Sequence, residues 1–148
     1  MPLYYRRNVL KIGLSAAAAS MLPLNALAAA MQMPDNRRSL DLYNIHTAER
    51  LSVCYYKQGA YLPKALTDIN HILRDHRTGD VTDMQTELLD LLYAVKRRIR
   101  AKGPFSIISG YRCPSTNEAL RRKTDGVAKK SYHTKGMAID IRLPGYDT

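Results

Sequence analysis

A histidine and an aspartate stand seven residues apart in Ser131-Tyr132-His133-Thr134-Lys135-Gly136-Met137-Ala138-Ile139-Asp140, with Gly136 between them. Imidazole nitrogen and carboxylate oxygen both ligate zinc. Gly136 allows the sharp turn that would bring His133 back toward Asp140. Strand alternation over Ala138-Ile139-Asp140-Ile141 puts Ala138 and Asp140 on one face and two isoleucines on the other. A carboxylate on so apolar a strand needs a partner if it is buried. A shared metal ion and a structural His–Asp hydrogen bond both satisfy that need, and spacing alone leaves both open. A catalytic zinc takes three protein ligands and keeps a position for water. No histidine follows Asp140 in the eight residues to Thr148. The expectation is half of a metallohydrolase site, in a sequence that stops before the other half.

A second group surrounds Ser109-Gly110-Tyr111-Arg112. An arginine after a glycine at a strand end points naturally into a cleft, where it can bind a substrate carboxylate or a developing oxyanion. A surface arginine or a structural ion pair is the plainer alternative. Ser131 either hydrogen-bonds substrate or caps the loop that leads to His133. His46, His71 and His76 show no ligand spacing with one another; a solvated face is the simpler account of His71 and His76, on the first helix, and His46 falls in a turn. Cys54 and Cys113 are far apart in sequence and match no metal motif.

The N-terminus reads as a targeting segment rather than part of the fold. Arg6-Arg7-Asn8-Val9-Leu10-Lys11 precedes an alanine-rich apolar stretch to Ala30, and Ala26-Leu27-Ala28 and Ala28-Ala29-Ala30 offer small-x-small cleavage sites. The pattern is that of a twin-arginine export signal over residues 1–30. It implies delivery to the periplasm and leaves no stable membrane span after cleavage. The chain carries a net charge of +10, of which Arg6, Arg7 and Lys11 supply three. A basic surface favours polyanions. For an exported protein these are wall polymers and peptide carboxylates, so no nucleic acid is expected as a partner.

About 118 residues remain, enough for one small core. Ser39 to Ile45 and Arg50 to Tyr56 read as a hairpin with a turn near Thr47 to Glu49. Apolar positions Leu62, Ala65, Leu66, Ile69, Ile72 and Leu73 predict a helix to about Arg77. Asp83 is expected to cap a second helix reaching about Ala101, with Leu88, Leu89, Leu92, Val95 and Ile99 inward. Phe105 to Ser109 predicts a short central strand, Ser115 or Thr116 a cap for a short helix, and Met137 to Ile141 a last strand. Strands, then helices, then strands describe an α+β domain with helices on one face of a small, mainly antiparallel sheet, incomplete at its C-terminal end.

Three segments together resemble a known family. They are Ser109-Gly110-Tyr111-Arg112, Thr116-Asn117 with Leu120-Arg121, and Gly126-Val127-Ala128-Lys129-Lys130-Ser131-Tyr132-His133-Thr134-Lys135-Gly136, closing on Ala138 and Asp140. They are similar to exported zinc peptidases of the murein endopeptidase K type, relatives of the D-alanyl-D-alanine metallopeptidases and, in fold, of lysostaphin and hedgehog domains. Asn44-x-His46-Thr47 and Leu73-Arg74-Asp75-x-Arg77 fit the same resemblance. It implies Zn2+ held by His133 and Asp140, substrate contacts from Arg112 and Ser131, and hydrolysis of peptidoglycan cross-link peptides. It also implies a third zinc ligand and an acid–base residue that residues 31–148 lack, so that this form would be inactive. The alternative is a non-catalytic cell-wall-binding protein.

Overall fold

The computed structural model describes residues 10–13, 35–143 and 145. Most of the 1–30 export segment and most of the C-terminal run 144–148 fall outside the described residues. The elements are β1 (Leu10–Gly13), β2 (Arg37–Asn44), β3 (Arg50–Lys57), β4 (Ala60–Tyr61), α1 (Pro63–Ile72), α2 (Thr86–Arg98), β5 (Phe105–Ser109), α3 (Pro114–Lys123), a 3-10 turn (Tyr132–Lys135) and β6 (Ala138–Arg142).

Among the described residues the strands form one sheet in the order β1-β6-β5-β2-β3-β4. The β2–β5 pairing is parallel and the others are antiparallel, so the sheet is mixed but mainly antiparallel. The α+β expectation holds. Pairing of Leu10–Gly13 with β6 was not anticipated, because residues 1–30 were set apart from the fold.

Alternation along β2 buries Leu40, Leu42 and Asn44 on one side. Phe105, Ile107, Ile139 and Ile141 continue that apolar face across β5 and β6. Helix α1 covers it with Ala65, Ile69 and Ile72, and α2 with Leu88, Leu89 and Leu92. Each large aliphatic side chain removed from water there stabilises the fold by roughly 1.5–3 kcal/mol. Helix α3 buries only Thr116 and Asn117 and adds nothing to the apolar core. Asp140 alternates with Ile139 and Ile141, so it faces away from the core.

Three element ends differ from expectation, each for a tertiary reason. Helix α1 stops at Ile72 instead of running to Arg77. The Leu73 carbonyl accepts the Tyr111 amide, and the Asp75 amide donates to the Asp80 carbonyl, so both are committed elsewhere. Asp83 does not cap α2. Its carboxylate takes the Asn70 side-chain amide, and Gln85 is the N-cap residue. Cys113, not Ser115 or Thr116, caps α3, accepting from the Thr116 amide, with Pro114 in the first turn where its missing N–H costs nothing.

Candidate metal and substrate site

The loop after β5 is built around a close approach. A Cβ at Gly110 would overlap the Leu73 carbonyl, so only glycine fits there. Tyr111 N–H donates to that same carbonyl at 2.8 Å, pinning the loop to the end of α1. Asp75 anchors the next step. It is 1% exposed and accepts from the Arg77 and Cys113 amides at 3.0 Å each. Burial alone would raise its pKa. The Thr116 hydroxyl and those two amides outweigh burial and hold the carboxyl below its ordinary value.

His133 is clamped to this loop twice. Its Nδ1 lies 2.8 Å from the Gly110 carbonyl, and its own carbonyl accepts the Arg112 amide at 3.2 Å. A carbonyl can only accept, so Nδ1 carries a proton, and in the neutral ring the lone pair is left on Nε2. That tautomer is the one a backbone carbonyl imposes on a metal-binding histidine. Ser131 caps the 3-10 turn, its hydroxyl accepting the His133 amide at 3.3 Å. Gly136 ends the turn at φ 65°, and a Cβ there would come 2.5 Å from the Asp83 carbonyl oxygen. Its carbonyl accepts the Gln85 amide, fixing the turn against the start of α2.

These contacts carry His133 to Asp140. Nε2 lies 3.6 Å from Asp140 Oδ2, and both side chains are nearly covered. A tetrahedral zinc held about 2.1 Å from each donor would separate them by about 3.4 Å. The pair therefore fits two positions of such an ion. Among the described residues no group of three or more histidine, cysteine, aspartate or glutamate side chains gathers to hold a metal.

Arg112 completes the cluster. One guanidinium nitrogen donates to Asp140 Oδ2 at 2.9 Å, and Nε donates to the Ser109 hydroxyl at 2.9 Å. Burial lowers its pKa and Asp140 offsets part of that, yet it stays a cation at any working pH. The four residues singled out from sequence thus converge: His133, Asp140 and Arg112 by direct contact, Ser131 as the cap beneath His133.

His71 lies on the solvated face expected of it, exposed on α1 and 3.7 Å from Glu49. His76 lies beyond the helix, and its ring stacks on His46 with centroids 3.8 Å apart and planes 9° from parallel. Nothing in their spacing signals this, because the contact depends on where α1 stops. Cys54 and Cys113 are both free thiols.

The mixed sheet is thus covered by two helices on one face and carries the His133–Asp140 pair, with Arg112 beside it, on the other. The chain belongs to the family Peptidase_M15_2, peptidoglycan L,D-endopeptidase MepK, whose profile matches residues 32–148. It is 38% identical over 140 residues to peptidoglycan L,D-endopeptidase MepK of Escherichia coli K12, an alignment spanning 95% of this chain and 76% of that protein. It is 37% identical over 141 residues to the probable MepK of Haemophilus influenzae Rd, spanning 95% of this chain and 75% of that one. No solved structure matches significantly.

Proposed function

We propose that this chain is a peptidoglycan cross-link endopeptidase domain that binds Zn2+ through His133 and Asp140. The observation that carries the reading is the approach of His133 Nε2 to Asp140 Oδ2, with the imidazole locked in the metal-binding tautomer. Zinc, when bound, supplies Lewis acidity toward a peptide carbonyl and lowers the pKa of water. The chain's own residues supply the rest. The Gly110 carbonyl holds the imidazole in orientation. Asp140 contributes the anionic donor. Arg112 stands beside the pair as a fixed cation, suited to a substrate carbonyl or carboxylate. Ser131 sets the backbone under His133.

Among the described residues no third histidine, cysteine or carboxylate joins the pair to hold a metal. The alternative reading is a wall-binding domain that holds cross-linked peptides without cutting them. The basic Arg6-Arg7 segment directs it to the periplasm by the twin-arginine route. Among the described residues no helix is long and apolar enough to cross a membrane.

The test is chromatography of cross-linked muropeptide dimers after incubation with zinc. The chain should bind dimers and release monomers, and that release should be stopped by a chelator and lost on His133→Ala or Asp140→Ala. Binding without release would favour the wall-binding alternative, and absence of both would overturn the proposal.

A further inference from the structure

Helix α2 ends in a backbone motif that asks for a different residue. Past the C-cap Ile99, the Ala101 amide donates to the Lys96 carbonyl and the Arg100 amide to the Arg97 carbonyl, both at 3.1 Å. This pair of bonds is the Schellman closure, whose residue after the cap is left-handed and is usually glycine. Here it is Arg100, at φ 52°. A side chain in that region costs stability that glycine would not. Three residues on, Gly103 makes its own left-handed turn, at φ 84°, without that cost.

Arg100 lines a cavity of about 340 Å³ together with Ser39, Tyr93, Lys96, Arg97 and Ala101. No acidic side chain lines it. The two acids that border it are engaged. Asp41 accepts from Lys96 at 2.6 Å, and Asp35 pairs with Arg97 and accepts from the Tyr93 hydroxyl at 2.6 Å. Asp90, further back on α2, takes Arg38 and the hydroxyls of Tyr55 and Tyr61. Glu87 stands at the other end of the helix, about 20 Å away by its rise. Arg98, Arg100 and Lys102 are exposed, and among the described residues no carboxylate pairs with them. The negative end of the helix dipole opposes an anion here. The motif's two hydrogen bonds occupy the Lys96 and Arg97 carbonyls and reduce that opposition.

Strand β5 separates this cavity from the site. It starts at Phe105, just after Ala101, and ends at Ser109, which takes the Arg112 Nε–H. At about 3.3 Å per residue its ends lie ~13 Å apart. We propose that the cavity at the end of α2, with Arg100 as its uncompensated cation, is a second anion site that anchors the peptidoglycan polymer by a carboxylate, away from the peptide being cut. The inference rests on the cross-link hydrolase reading and adds to it a hold on the rest of the polymer. Carboxylates recur along that polymer, so one can sit at Arg100 while a cross-link lies at Arg112. A guanidinium matches a carboxylate with two parallel hydrogen bonds. Two contacts on one polymer reinforce each other through effective concentration. Arg100 sets affinity for the polymer, not the chemical step.

The experiment sediments the 148-residue chain with intact peptidoglycan, and with peptidoglycan whose carboxylates have been amidated. Wild type should bind the acid form roughly tenfold more tightly, the scale of a charge-assisted hydrogen bond. Arg100→Gly should remove most of that preference and raise the melting temperature, because glycine suits the left-handed position. A residue with a structural role alone would not weaken binding while its loss stabilises the fold. Arg122→Gln removes the same charge from the exposed side of α3 and should keep the preference. Wild type without a preference, a preference that survives Arg100→Gly, or equal loss in both variants would overturn the site. So would Arg100-dependent binding to phosphatidylglycerol vesicles with wall binding untouched by the variant. Monomer release from soluble dimers does not involve Arg100. Its absence in wild type overturns the hydrolase reading whichever way the site falls.

Discussion

Asp75 shows how much a single buried side chain sets in this molecule. Its carboxylate gathers the Arg77 and Cys113 amides and so positions the turn after α1 and the start of α3 together. Its pKa is depressed in the folded state. The stabilisation is therefore complete above the unfolded value near pH 4 and is lost as pH falls through the lower, folded value. We predict that Asp75→Asn destabilises the chain at neutral pH by about 1–3 kcal/mol and flattens its acid limb. Denaturant unfolding of both proteins between about pH 2 and pH 7 measures this; parallel stability curves would refute it. Asp41 and Glu49 are also depressed, by Lys96 and Arg74 chiefly, so the limb should weaken rather than vanish. At this scale the sequence was partly legible. The types and spacing of His133 and Asp140 pointed to each other. Cys113 as a helix cap did not announce itself, because a thiol is a weak acceptor and Ser115 and Thr116 are better caps by residue type.

At the scale of elements, the 3-10 turn Tyr132–Lys135 aims the site. Ser131 starts it, Gly136 ends it in the left-handed region, and the Gly136 carbonyl ties it to Gln85. Gly136→Ala meets two costs at once: a left-handed φ without glycine, and a contact with the Asp83 carbonyl. The first alone is worth about 1–3 kcal/mol. We predict a loss of at least that size, together with weaker zinc binding, because the turn carries His133. Thermal unfolding and zinc calorimetry on the variant check it, and a wild-type profile in both would contradict it. Strands β2, β3 and β5 were readable because a two-residue alternation survives any environment. The end of α1 was not, because the apolar spacing continues to Leu73 while the Leu73 carbonyl is taken by the Tyr111 amide and the Asp75 amide by the Asp80 carbonyl. The stacking of His46 on His76 was hidden by the same error. So was the parallel β2–β5 pairing, which rests on a crossover through two helices.

For the whole molecule, charge and destination belong together. Arg6, Arg7 and Lys11 lie in a stretch without acidic residues, within a chain of net charge +10. If the paired arginines direct export, replacing both with lysine should leave the protein in the cytoplasm, because that route reads the guanidinium pair rather than charge. Fractionation of cells producing each form decides it; unchanged periplasmic yield would count against the export reading. The fold has a different whole-molecule consequence, drawn from the contact between Gly110 and Leu73. Leu73 is fully covered at the centre of the core, and its carbonyl receives Tyr111. The neighbouring Gly110 carbonyl in turn orients the His133 ring. A core residue and a candidate metal ligand are thus separated by two hydrogen bonds and no slack. Loosening the packing around Leu73 would be felt as a swing of the imidazole, and a ligand that stiffens the imidazole would be felt as a higher melting temperature. Core and site behave as one mechanical linkage, so neither can be redesigned while the other is held constant.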